Sequence, residues 1–198
     1  MAGVKSYLGK WLWILFWFPI FSIGPSILTI IPNFGLNILG TILSIMLGIA
    51  QGCILIKISS EERRYRTAGI CMLIATVVDK VLFALDTSEG IWTVLFVTLP
   101  IAILGYVAMY NEFMAHAIVL EYLDNELSDK WRKLWKWYIG LIIGMAGSVL
   151  MPVLGLLVVL ARLIGIVVCA ILRWVYLYRT AKVFRTYEIR YIVEGQAG

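Results

Sequence analysis

Long apolar runs, broken by short charged or turn-forming stretches, set the pattern of this chain. The clearest run extends from Ile139 to Leu172, where Arg162 is the one charged side chain. One membrane crossing needs about 20 apolar residues, so this run is long enough for two. Pro152 and Gly155 near its middle predict a tight turn there, and hence two helices folded back on each other. The same pattern predicts four earlier spans. Trp11 to Ile31 is the first, with kinks at Pro19 and Pro25. Pro32-Asn33-Phe34-Gly35 supplies a turn before the second span, Leu36 to Ile56. The third runs over 67–85 and the fourth over 91–110, kinked at Pro100, with its helical pattern continuing towards Asp124. The final pair occupies 135–153 and 156–177.

The distribution of cations gives this string of spans a direction. Fifteen of the 17 Lys and Arg residues fall before span one, after span two, after span four or from Arg173 onward; only Lys80 and Arg162 lie elsewhere. Basic residues collect on the cytoplasmic side of a membrane, so the pattern predicts an even number of crossings with both termini in the cytoplasm. Tryptophans agree. Trp11, Trp13, Trp131, Trp135, Trp137 and Trp174 fall at the expected inner interface and Trp92 at the outer one, as an aromatic belt requires. The apolar run after Lys5 and Lys10 is too long for a typical signal-peptide core and is expected to remain as the first span.

Composition narrows the class. At 62% hydrophobic and 15% charged residues, the chain is expected to be an all-α integral membrane protein, a single bundle of six transmembrane helices spanning residues 1–198 in the cell membrane. A formal charge of +5 spread over short loops speaks for the lipid bilayer and against a nucleic-acid partner. Cys53, Cys71 and Cys169 all sit within apolar runs without CxxC spacing and read as packing residues.

Small residues recur every fourth position on several spans: Gly40, Ser44, Gly48 and Gly52 on the second, Gly140, Gly144 and Ser148 on the fifth, Ala161, Gly165 and Cys169 on the sixth. In lipid such faces let helix backbones approach closely. They predict tight packing within the bundle or against a membrane partner or a second copy. The segment Glu121 to Lys136 turns from acidic to basic with interleaved Leu and Trp, which suits a helix lying on anionic lipid or docking a cytoplasmic partner. A faint similarity between Leu55 to Tyr65 and Leu177 to Tyr187, at the ends of spans two and six, could come from a duplicated hairpin but reads more simply as shared interface chemistry.

Few residues offer chemistry. Asp79 and Arg162 each lie six residues from the expected outer end of their spans, at a common depth of about 9 Å. An unpaired charge there is costly, so the two are expected to form an intramembrane charge pair, with Lys80 reaching outward. Glu112 and His116, four apart on one helical face, with Asp124 beyond, read as an interfacial polar stripe; a metal site would need ligands from elsewhere. Glu61-Glu62-Arg63-Arg64-Tyr65-Arg66 matches the EExxxR signature of CAAX-type intramembrane proteases. That family also uses histidines on other membrane helices, whereas His116 is the sole histidine here and lacks the FxxxH spacing. No nucleophile–base pair, metal set, Walker loop or dinucleotide fingerprint is present, so no enzyme, metal or cofactor is expected. The sequence favours a non-enzymatic membrane subunit or partner-binding scaffold. The alternative is a small ion or solute transporter or channel using an outer-leaflet polar cavity around Asp79 and Arg162. A water-accessible cavity reaching Asp79 favours the second; dry, mutually paired charges favour the first.

Overall fold

The computed structural model describes the backbone of residues 2–84, 98–148 and 155–196, with side chains over 7–79, 98–144, 160–161 and 163–186. Six α-helices account for nearly all of these: α1 Ala2–Ile30, α2 Phe34–Lys57, α3 Arg63–Ala84, α4 Leu99–Leu120, α5 Asn125–Ser148 and α6 Gly155–Gln196. A 3-10 turn at Ile58–Ser60 joins α2 to α3. Four stretches among the described residues are long and apolar enough to cross a membrane: Tyr7–Ile30, Phe34–Ser60, Leu99–Leu120 and Leu163–Thr186. The expected turns at 86–90 and around Pro152, the start of span four with Trp92, and the side chains of Lys80 and Arg162 lie outside the described residues.

Local chemistry sets several boundaries. Asn33 caps α2, its Oδ1 accepting from Leu36 N at 3.2 Å, as short polar side chains do at helix starts. Asn37 Nδ2 reaches back to Thr29 O at 2.8 Å and ties the α1–α2 turn. Within α1, the hydroxyls of Ser22, Ser26 and Thr29 each donate to a carbonyl three or four residues earlier, which satisfies polar groups in an apolar setting. α4 ends at Leu120, and Asp124 then caps α5, its Oδ1 accepting from Leu127 N at 2.9 Å.

That cap corrects two expectations. Asp124 does not continue a stripe through Glu112 and His116, because the helix carrying them has already ended. The acidic-to-basic stretch is also no separate interfacial helix: from Asn125 it is the first half of a continuous α5, whose Leu127, Trp131 and Leu134 are buried. Ser128 Oγ donates to Ala117 O at 2.7 Å and fixes the start of α5 on the end of α4.

Each helix packs on its sequence neighbours, and α1 closes on α6, so the six form a ring. The small-residue faces carry part of this. A methyl group at Gly40 would meet Pro25 O of α1 at 2.8 Å, and one at Gly48 would meet Thr76 Cγ2 of α3 at 2.7 Å. Gly52 faces Leu73 of α3, and Gly165 of α6 faces Leu141 of α5. Gly140 instead has no described residue within 4 Å of where its Cβ would lie, and Gly144 is half-buried.

The buried core gathers at one end of the ring. It takes Leu8, Leu12 and Leu15 from α1, Ile54 and Leu55 from the end of α2, Tyr65 and Ala68 from the start of α3, and Phe113 to Leu120 from the end of α4. Leu127, Trp131 and Leu134 come from the start of α5, and Leu177, Ala181 and Phe184 from the later part of α6. Starts and ends therefore alternate, and the N-terminal part of α1 meets the late part of α6, Gly9 lying against Phe184. α6, at 42 residues, is about 63 Å long and runs well past the end of a typical crossing.

Candidate functional site

A cavity of about 450 Å³ lies inside the ring, between the buried core and the opposite end of the bundle. Its walls are Ser22 and Ser26 of α1, Ser44, Gly48 and Gln51 of α2, Met109 and Glu112 of α4, Tyr138 of α5, and Cys169 and Arg173 of α6, with apolar neighbours between. A second lobe of about 460 Å³ extends towards α3, where Thr76 and Asp79 border it. Ser44, Gly48, Gln51, Met109, Glu112 and Arg173 border both lobes, so all six helices contribute to one interior space, mostly apolar with a few polar groups.

At the floor of this space Glu112 and Arg173 form an ion pair. Arg173 Nη2 donates to Glu112 Oε1 at 2.8 Å and to Oε2 at 2.9 Å. Glu112 is only 5% exposed, whereas the Arg173 side chain retains 30% exposure. A buried carboxylate is tolerable only when paired and hydrogen-bonded. Nη2 makes both bonds, and Arg173 borders both lobes of the cavity. The guanidinium also lies 5.6 Å from the Phe113 ring centroid, within cation–π range.

Behind Glu112 a second polar line runs into the core. His116 is fully buried, its Nδ1 2.8 Å from the Tyr65 hydroxyl and its Nε2 3.7 Å from Glu112 Oε1. Burial first, then the Glu112, Glu62 and Glu61 carboxylates, push the Tyr65 phenol well above its ordinary pKa, so it stays a neutral O–H. Donation from that O–H to Nδ1 places the imidazole proton on Nε2, facing the carboxylate; the other tautomer would set a lone pair against it. The imidazole packs on Trp131 with ring centroids 4.6 Å apart. Trp131 Nε1 donates to Thr180 Oγ1 at 3.0 Å, and Thr180 donates to Tyr176 O at 2.7 Å. Trp131, expected in the inner aromatic belt, is thus part of the core.

The residues singled out from sequence are distributed unevenly around this site. Ser44 and Gly48 border the cavity and Glu112 anchors its floor, while His116 sits one turn deeper. Asp79 borders the second lobe and has an interaction of its own within the chain. Its proposed partner Arg162, and Lys80, have no described side chains. Arg173 and Gln51 were not singled out, although Arg173 continues in register, at i+4 and i+8, the small face of Gly165 and Cys169. Among the described residues no group of three His, Cys, Asp or Glu side chains gathers to hold a metal. No family model, no curated protein and no solved structure matches this chain.

Proposed function

We propose that all six helices cross the cell membrane, with both termini on the cytoplasmic side, and that the protein is a non-enzymatic transporter or channel for a small polar solute held in the central cavity. The observation that carries this is the cavity itself: polar groups from six helices converge on it, and an ion pair whose two partners border both lobes forms its floor. Small-solute sites are concave, mostly apolar and fixed by a few convergent polar groups, and charges kept inside a membrane domain mark pathways. The direction follows from charge and packing together. Lys57, Arg63, Arg64 and Lys130 to Lys136 lie at the tightly packed end, which the positive-inside rule places in the cytoplasm. The cavity then lies on the outer side of an apolar plug, an outward-facing arrangement. The proline-bearing α1, with cavity-facing Ser22 and Ser26, is the natural moving wall.

One observation favours the second reading, a membrane subunit or partner-binding scaffold: both Glu112 oxygens are satisfied within the chain, so the pair also works as a clamp. Cysteine labelling separates the two. In a background with Cys53, Cys71 and Cys169 replaced by alanine, Ser22→Cys and Ser44→Cys are expected to react with a charged, membrane-impermeant thiol reagent added outside intact cells. Leu127→Cys, in the plug, is expected to stay unreacted. Silence at both Ser22→Cys and Ser44→Cys would leave the subunit reading standing and remove the transport one.

A further inference from the structure

We infer that His116 is a proton-binding site that shares Glu112 with Arg173, so that the cavity captures an anionic group and a proton together. The inference rests on the cavity holding a solute and adds the solute's charge and the ion coupled to it.

The geometry is specific. His116 is fully buried, and its Nε2 has no hydrogen-bond partner among the described residues. That atom lies 3.7 Å from Glu112 Oε1, the same oxygen that Arg173 Nη2 holds at 2.8 Å. One carboxylate therefore faces two donors and fully satisfies one of them. A buried N–H left short of an acceptor is disfavoured, and it is the place where a small change in charge has the largest effect.

The charges around the imidazole can be counted element by element. α3 presents Tyr65, with Glu61 and Glu62 near its approach. α4 presents Glu112, α5 presents the neutral Trp131, and α6 presents Arg173. Gln51 of α2 is neutral, and Asp79 stands at the second lobe in an interaction of its own. With His116 neutral, Glu112 and Arg173 cancel. A proton arrives at Nδ1, and the Tyr65 hydroxyl turns so that its oxygen accepts from it. The three groups then carry a net positive charge, and Oε1 is drawn towards Nε2. Arg173 loses part of its hold on Glu112, and its guanidinium faces the cavity with unbalanced charge. A carboxylate or phosphate group bound there restores neutrality. By linkage, each ligand raises the affinity of the other.

Because His116 is the single histidine, protein labelled with ¹⁵N-histidine in lipid nanodiscs gives one imidazole to follow by NMR. Succinate, used as a carboxylate probe at one fixed pH, is expected to increase the imidazolium share of that signal in the native protein and to leave Arg173→Gln and Glu112→Gln unchanged. Should Glu112→Gln fail to fold, Glu112→Asp, which keeps a charge for Arg173 but withdraws it from His116, is expected to weaken the response too. An imidazole signal that succinate leaves unmoved in the native protein overturns the coupling, and a full response that survives the Glu112 substitutions overturns the sharing of Glu112. Labelling at Ser22→Cys and Ser44→Cys does not depend on His116, so a labelled cavity with an unmoved imidazole signal refutes this inference alone.

Discussion

At Gly69 α3 lies against the α2 backbone, and replacing it with alanine tests whether that contact holds the ring together. A methyl group there would lie 2.6 Å from Gly52 O, 2.7 Å from Ile56 Cγ1 and 3.1 Å from Ile56 N. Two of those three atoms are α2 backbone, which cannot rotate aside, so the helices must part. Overpacking of this kind costs about 1–3 kcal/mol. Alanine also offsets some of the loss, because glycine is the poorer helix former by about 1 kcal/mol. Gly105→Ala isolates that offset, since no described residue lies within 4 Å of a methyl group at Gly105 of α4. The helix term is common to both variants, so their difference is the overpacking alone. For a chain of this size 1 kcal/mol moves a melting temperature by about 2–4 °C. Gly69→Ala is therefore expected to melt about 2–12 °C below Gly105→Ala, followed by tryptophan fluorescence in one detergent. Melting temperatures within about 1 °C of each other would refute a steric α2–α3 contact at this point.

Other outcomes follow from the buried polar groups. Removing one partner of a buried ion pair costs about 3–5 kcal/mol; with Arg173 open to the cavity, Glu112→Gln and Arg173→Gln are each expected to lose about 2–3 kcal/mol. The double variant should lose at least about 1 kcal/mol less than their sum in chemical unfolding, and simple additivity would deny the pairing. Thr180→Val strands Trp131 Nε1 in the core and is expected to cost about 1–3 kcal/mol, part of it recovered in Trp131→Phe/Thr180→Val. Tyr65 has a raised pKa in the folded chain, so its contribution is full below the ordinary phenol pKa and fades as pH climbs through the folded value. Alkaline unfolding should thus be less steep in Tyr65→Phe, and an identical pH profile would contradict a buried neutral phenol.

Much of the bundle was legible because membranes simplify the reading of a chain. The Pro32-Asn33 turn, the all-helical architecture and the continuation of α4 past Tyr110 follow from period, length and turn residues. The spacing of Gly40, Gly48 and Gly52 is legible as a small-residue face, and a methyl group at each would lie within 3 Å of a neighbouring helix. Asp124 and Trp131 were harder. Asp124 ends one pattern and begins another, and a cap and a stripe residue look alike until the chain turns. Trp131 has the flanks of a belt residue, yet Thr180 lies within reach of its indole, and only packing reveals that.

What the residues alone determined is the solvent: runs too long and too apolar for water, cations kept to alternate breaks, and small faces where helices must meet. What the tertiary structure decided is which charges meet. Glu112 and Arg173 are 61 positions apart, and each by itself reads as an ordinary polar residue near the end of a span. Helical periodicity fixes the face a side chain occupies on its own helix, but the neighbour that face receives depends on the order in which the ring closes. Because α4 and α6 both present that face to the interior, a glutamate and an arginine become the floor of a cavity.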